Sequence, residues 1–159
     1  MLVGHRPKSC ARGFTLIELI TTITVMAILA GIALPSFSAF IANQRVRNVS
    51  FDLMAAITLA RSQAVTRNTN VSLQKVGTAW DGGWRVSDGT LTFHNQEAYK
   101  NLSITDSTGL GAITYGKDGR AVTTGTKFTI APSPAVSGVS SRCVSIGLSG
   151  VPSSSTGAC

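Results

Sequence analysis

The chain divides by the rhythm of its apolar positions. Residues 19–42 carry no charge, and apolar or small side chains occupy every face of a helix built from them. At about 1.5 Å per residue such a helix is roughly 36 Å long, against roughly 30 Å of bilayer hydrocarbon, so the run predicts a membrane-spanning segment. A core helix of a small soluble domain would show a polar face. Gly31 and Pro35 interrupt the run. A proline inside a helix removes a backbone bond and crowds the preceding turn, which predicts a kink or a locally meltable stretch at 31–35.

Past residue 42 the apolar positions narrow to a stripe. Val46, Val49, Leu53, Ile57, Ala60 and Ala64 recur at three- and four-residue steps, with Arg45, Arg47, Asp52, Arg61 and Arg67 mostly off it. This predicts an amphipathic continuation over 43–70, ended by the polar Asn68, Thr69 and Asn70, in a helix of about 55 residues and about 80 Å if unbroken. From residue 71 the rhythm shortens to period two. Strands are predicted at 70–76, 84–86, 91–94, 102–105, 112–115, 121–123, 127–131 and 143–149, punctuated by turn signals at 81–83, 87–89 and 117–119. Residues 132–141 read as a surface loop. The fold class is therefore α+β, with a long N-terminal helix packed on a small antiparallel β-sheet head.

Charge changes the picture at the N-terminus. Residues 1–13 hold Arg6, Lys8 and Arg12 and no acid, so the positive-inside rule keeps that end cytoplasmic and sends the C-terminal head to the periplasm. A secretory signal is cut after its apolar region, whereas here the small residue, Gly13, precedes it. Cutting after Gly13 would remove the basic leader, keep the apolar helix and create an α-amine on Phe14. The acid at the start of the run, Glu18, would be expensive deep in hydrocarbon, about 2.5–3.5 kcal/mol on insertion scales. It either reaches the headgroups or pairs with such an amine, in its own chain or in a neighbour.

Gly13 to Leu19 reads G-F-T-L-I-E-L and resembles the processing signature of type IV prepilins and type II secretion pseudopilins. The resemblance implies cleavage between Gly13 and Phe14 by a membrane prepilin peptidase, N-methylation of Phe14, and a Glu18 that aids docking into a filament. Further along, Arg61, Ser62, Ala64 and Arg67 match an Arg-Ser-x-Ala-x-x-Arg helix end, Trp80, Gly83 and Trp84 match W-x-x-G-W, Gly119 and Arg120 match a Gly-Arg turn, and Arg142, Cys143 and Val144 match a strand that begins Arg-Cys-Val. These resemble minor pilins and pseudopilins of the GspH and FimT/FimU type. The implied domains are a leader at 1–13, a membrane and filament-core helix at 14–42, its amphipathic continuation at 43–70 and a β-rich periplasmic head at 71–159.

Loss of the leader's three basic residues lowers the net charge from +7 to +4. Cys10 goes with it, leaving Cys143 and Cys159 as an even pair in an oxidising compartment, which predicts a disulfide. His94 then stands as the last histidine without companion ligands, so neither metal nor cofactor is expected. Residues 147–151 have Val151 where a nucleophile elbow needs glycine, and no phosphate-binding loop or zinc-protease motif occurs, so no enzyme is expected. Trp80 and Trp84 read as aromatics closing a hairpin before they read as a platform for bases.

The expected function is a minor pilin in the assembly-initiating or tip complex of a type IV pilus, anchored once in the inner membrane and partnered by major and minor pilins. The alternatives are a type II secretion pseudopilin and a DNA-binding minor pilin for natural transformation. Some FimT-type members bind DNA through a G-R-x-R element near the last cysteine, but Gly150, Val151, Pro152 and Ser153 supply no arginine here. Phosphate contacts need Lys or Arg. Lys117, Arg120, Lys127 and Arg142 are the remaining candidates for a DNA-contacting patch.

Overall fold

The computed structural model describes residues 13–122, 125–147 and 149–159, without the side chains of 33–36. The basic leader with Cys10, the side chain of Pro35 and position 123 of the predicted strand at 121–123 lie outside the described residues. Among the described residues one α-helix, α1 (Leu16–Arg67), is followed by eight strands, with a short 3-10 turn at Trp80–Gly82 between the first two: β1 (Val71–Lys75), β2 (Trp84–Ser87), β3 (Thr92–Gln96), β4 (Leu102–Asp106), β5 (Ala112–Tyr115), β6 (Lys127–Pro132), β7 (Arg142–Ile146) and β8 (Pro152–Thr156). Contacts divide the chain into two units, one up to Phe37 and one from Ser38 to Cys159.

In the first unit α1 presents apolar side chains outward: Leu16 is 75 % exposed, Met26 73 % and Ile32 70 %. The threonines within it do not break that apolar character, because each hydroxyl bonds a carbonyl of the preceding turn, Thr21 to Ile17 at 2.9 Å and Thr24 to Ile20 at 2.8 Å. This stretch of α1 is long and apolar enough to cross a membrane.

The second unit has two antiparallel four-stranded sheets, ordered β3-β2-β1-β5 and β4-β6-β7-β8. The predicted helical stripe is its spine: Val46, Val49, Leu53, Ile57, Ala60 and Ala64 are all buried, in one cluster with Val71, Leu73 and Ile113 of the first sheet and Phe128, Ile130 and Val144 of the second. Both tryptophans lie in this core. Trp80 donates Nε1–H to the Leu110 carbonyl at 3.3 Å and meets Phe128 edge-on at 4.9 Å. The helix ends where Asn68 takes φ 52, with the Asn68 amide on the Val65 carbonyl and the Thr69 amide on the Ala64 carbonyl. That is a left-handed cap in which asparagine stands in for the usual glycine.

Two features differ from the expected strands. At 121–123 the described residues form a single bridge, Tyr115 to Ala121, with the Val122 amide on the Thr114 carbonyl, where the tight turn at 116–120 returns the chain. The strand predicted at 143–149 ends at Ile146, and an additional one, β8, pairs with β7 from Arg142–Thr156 to Ile146–Pro152. Its sequence, PSSST, shows no apolar alternation, since it is an edge strand that contributes little to the core. Proline is tolerated at its first position for the same reason.

Candidate functional site

The start of α1 is built by a reciprocal pair. The Thr15 amide and hydroxyl both donate to Glu18 Oε2, at 3.0 and 2.9 Å, while the Glu18 amide donates back to Thr15 Oγ1 at 3.3 Å. This is a capping box, which satisfies helix-start donors that otherwise have no partner. Glu18 thus holds its own helix end while its Oε1 has no partner among the described residues. Gly13 and Phe14 precede the cap in an exposed, non-helical segment, and Phe14 is 85 % exposed. Among the described residues nothing lies within 4 Å of where a Cβ on Gly13 would stand. Gly31 and Pro35 lie within α1, which is helical from end to end.

In the head, Cys143 of β7 is bonded to Cys159, which follows β8. The Cys159 amide also donates to Thr129 Oγ1 at 3.2 Å. The cross-link closes a loop with a sequence separation of 16 and holds the edge strand to the sheet. Chain entropy assigns such a loop about 3 kcal/mol. Cys159→Ser is therefore expected to lower the stability of the oxidised protein by about 2–4 kcal/mol, and thermal unfolding with and without reductant checks it. The variant should melt like reduced wild type; equal melting of the variant and oxidised wild type would show that the bond contributes nothing.

The helix end and the Gly-Arg turn are joined by Arg61, whose Nε donates to the Gly119 carbonyl at 2.9 Å. Gly119 has φ 73 and lies against Val65 and Arg61, so the turn is seated on the helix. Tyr115 closes the far side by donating its hydroxyl to the Gly150 carbonyl at 3.0 Å, and burial pushes its pKa up to about 12. Asp88 caps the turn before β3 by accepting from the Leu91 and Thr90 amides and the Thr90 hydroxyl; these bonds hold its carboxyl at about 2.

The four basic candidates are not brought into one patch. Lys117 and Arg120 sit on the exposed turn at 116–120, with Asp118 between them accepting from the Arg120 amide at 3.1 Å. Lys127 opens β6 on the outer face of its sheet, whereas Arg142 pairs with Ile130 and so belongs to the inner face, where it bonds Ser154. No group of three or more metal-ligating side chains occurs among the described residues.

Comparison with known proteins agrees with this architecture. The model of the family described as Type II transport protein GspH matches residues 51–150, and that of the prokaryotic N-terminal methylation motif matches residues 8–34. The type IV major alpha-pilin of Moraxella bovis is 30% identical over 101 residues, which span 64% of this chain and 64% of the relative's length. The fold is shared with the type IV minor pilin FimU of Pseudomonas aeruginosa, at 21% identity, TM-score 0.59, and coverage of 69% of this chain and 91% of that one. It is also shared with the minor pseudopilin EpsH from the Type 2 Secretion System of Vibrio cholerae, at 10% identity, TM-score 0.56, and coverage of 70% and 97%.

Proposed function

The chain belongs to the GspH family, and from that premise we propose that it is a minor pilin, made as a prepilin and incorporated into a type IV pilus, in the complex that initiates assembly or sits at the tip. Members of this family are structural subunits that assemble with other pilins, and the methylation motif implies processing by a prepilin peptidase. The observation that carries the reading is the outward-facing apolar stretch of α1 behind that motif. An apolar surface of this extent must be covered, first by lipid and then by the helices of neighbouring subunits.

In this reading the leader is cut between Gly13 and Phe14, Phe14 is methylated, and the helix crosses the inner membrane once, N-terminus inside and head in the periplasm. Glu18 then pairs with the Phe14 amine of an adjacent subunit. Gly31 and Pro35 supply a place where the helix loosens on leaving the bilayer, since proline leaves one carbonyl of the ladder unpaired.

Counting pili sheared from cells lacking the protein, with a complemented control, tests it. Loss of pili restored by complementation is expected. The pseudopilin reading, favoured by the fold shared with EpsH, predicts unchanged pili and impaired secretion instead. Unchanged pili with impaired DNA uptake would identify a DNA-binding subunit.

A further inference from the structure

A cleft of about 300 Å³ opens between α1 and the second sheet, with Phe40, Asn43, Arg47, Ser140, Arg142 and Thr156 in its lining. Its two charged residues are both arginines. Arg142 is held in place by Ser154 Oγ, which accepts from Nε at 3.3 Å and from Nη2 at 3.2 Å. That fixes the guanidinium plane and leaves Nη1 without a partner among the described residues. Asn43 bridges the two walls, donating its amide to the Ala39 carbonyl at 3.1 Å and the Gly138 carbonyl at 3.3 Å.

The electrostatics of both walls are one-sided. Along α1 no acid occurs between Glu18 and Asp52, and from Gly119 to the C-terminus there is none at all. No carboxylate side chain is among the residues that line the cleft with Arg47 and Arg142. The cleft's place in the sequence supplies the ligand: its helical wall begins at Phe40, where the charge-free run ends at Ala42. A run that fills the roughly 30 Å of hydrocarbon puts the next turn or two of helix in the headgroup layer, which brings the bilayer to roughly 40–45 Å. Phosphodiesters are what a pair of arginines would meet there, and guanidinium donors match phosphate oxygens two at a time.

We infer that this cleft binds the phosphodiester headgroup of an anionic phospholipid while the subunit waits in the membrane. The inference rests on the membrane-anchored reading but not on which filament the subunit enters. Arg47 and Arg142 grip the phosphate, and Asn43, Ser140 and Thr156 surround it. Arg45, partly exposed on the same helix, does not line the cleft and adds only general attraction. Entry into a filament must break this contact, so the cleft tethers the head to the bilayer surface until neighbouring subunits replace the lipid.

The test uses the full chain in neutral detergent micelles doped with phosphatidylglycerol, read as the lipid-dependent rise in the head's melting temperature. Phosphatidylglycerol should raise it in a saturable manner that salt weakens. Arg47→Gln, at an exposed position, should weaken apparent affinity about fivefold, Arg142→Gln by at least as much, and Lys127→Gln, on the other face of the sheet, not at all. Equal shifts with phosphatidylcholine or inorganic phosphate would overturn the anionic-lipid assignment. Wild-type affinity in Arg47→Gln, or an equal loss in Lys127→Gln, would overturn the cleft. None of these outcomes bears on the pilus counts, so failure here and failure of the minor-pilin reading are distinguishable.

Discussion

Glu18→Ala is expected to be cut after Gly13 at close to the wild-type rate and then to be nearly absent from sheared filaments. On the proposed reading the scissile bond precedes the helix and would not depend on the acid's charge, whereas docking into the filament would. In the assembled state a Phe14 amine would lie in a helix-lined apolar core, and deleting the partner of a buried charge costs about 3–5 kcal/mol. That is a loss of a hundredfold or more in the incorporation equilibrium.

The capping box complicates the interpretation, because alanine also removes the bonds from Thr15 to Glu18. Loss of a cap alone costs about 0.5–2 kcal/mol. Glu18→Gln separates the two effects. Glutamine can keep the capping geometry, since it serves at the same position of capping boxes, but it has no charge to offer an amine. If charge pairing drives docking, Glu18→Gln should fail as Glu18→Ala does while being cleaved normally. Full incorporation of the glutamine variant would reduce Glu18 to a helix cap. The measurement is an immunoblot of cleaved protein in membrane and sheared fractions.

How far the sequence discloses this molecule depends on the physics of each part. The stripe from Val46 to Ala64 is legible because one helical face is covered and the other is wet, so burial leaves a period near 3.6 in the sequence. Phe128 and Ile130, and Val144 and Ile146, are legible for the same reason at period two, each pair lying inward on its strand. The edge strand β8 leaves no such trace. Its place comes from pairing with β7 and from the disulfide beyond it, and serine at successive positions fits any exposed backbone.

The site is unevenly legible too. Thr15-x-x-Glu18 is a capping-box spacing, and a reading that weighs Glu18 against the headgroups and an α-amine, in its own chain or a neighbour, misses Thr15 as its local partner. The cysteine pair follows from counting. The bond from Arg61 to the Gly119 carbonyl, and the meeting of Arg47 with Arg142 across a cleft, join residues far apart in sequence, and no local pattern announces them. Grouping Lys117, Arg120, Lys127 and Arg142 as basic residues of one head says nothing about faces. Strand register separates Lys127 from Arg142, since a residue's side of the sheet alternates with each position.

Gly83→Ala should be the most damaging single-methyl change in the head. Gly83 has φ 95 and ψ −179, a region open to glycine and essentially closed to other residues. A Cβ there would overlap the Gln96 carbonyl oxygen and lie 3.0 Å from the Glu97 carbonyl carbon. Those atoms are backbone at the end of β3, so no rotamer change relieves the overlap; β2 and β3 must part at the Trp84–Gln96 pair. Trp84, wholly buried against Tyr99 at a ring distance of 5.4 Å, would be drawn out with them. Strained backbone costs about 1–3 kcal/mol and disturbed packing a similar amount, so a loss of about 3–5 kcal/mol is expected, or 10 °C and more in melting temperature. Gly77→Ala is the control: its φ of 82 carries the conformational strain, but a Cβ there meets nothing within 4 Å. Its loss should stay near 1 kcal/mol, so the difference between the two variants isolates the backbone collision beneath the tryptophan. Equal melting of the two would show that the close approach of β2 and β3 at Gly83 is not what requires glycine between Trp80 and Trp84.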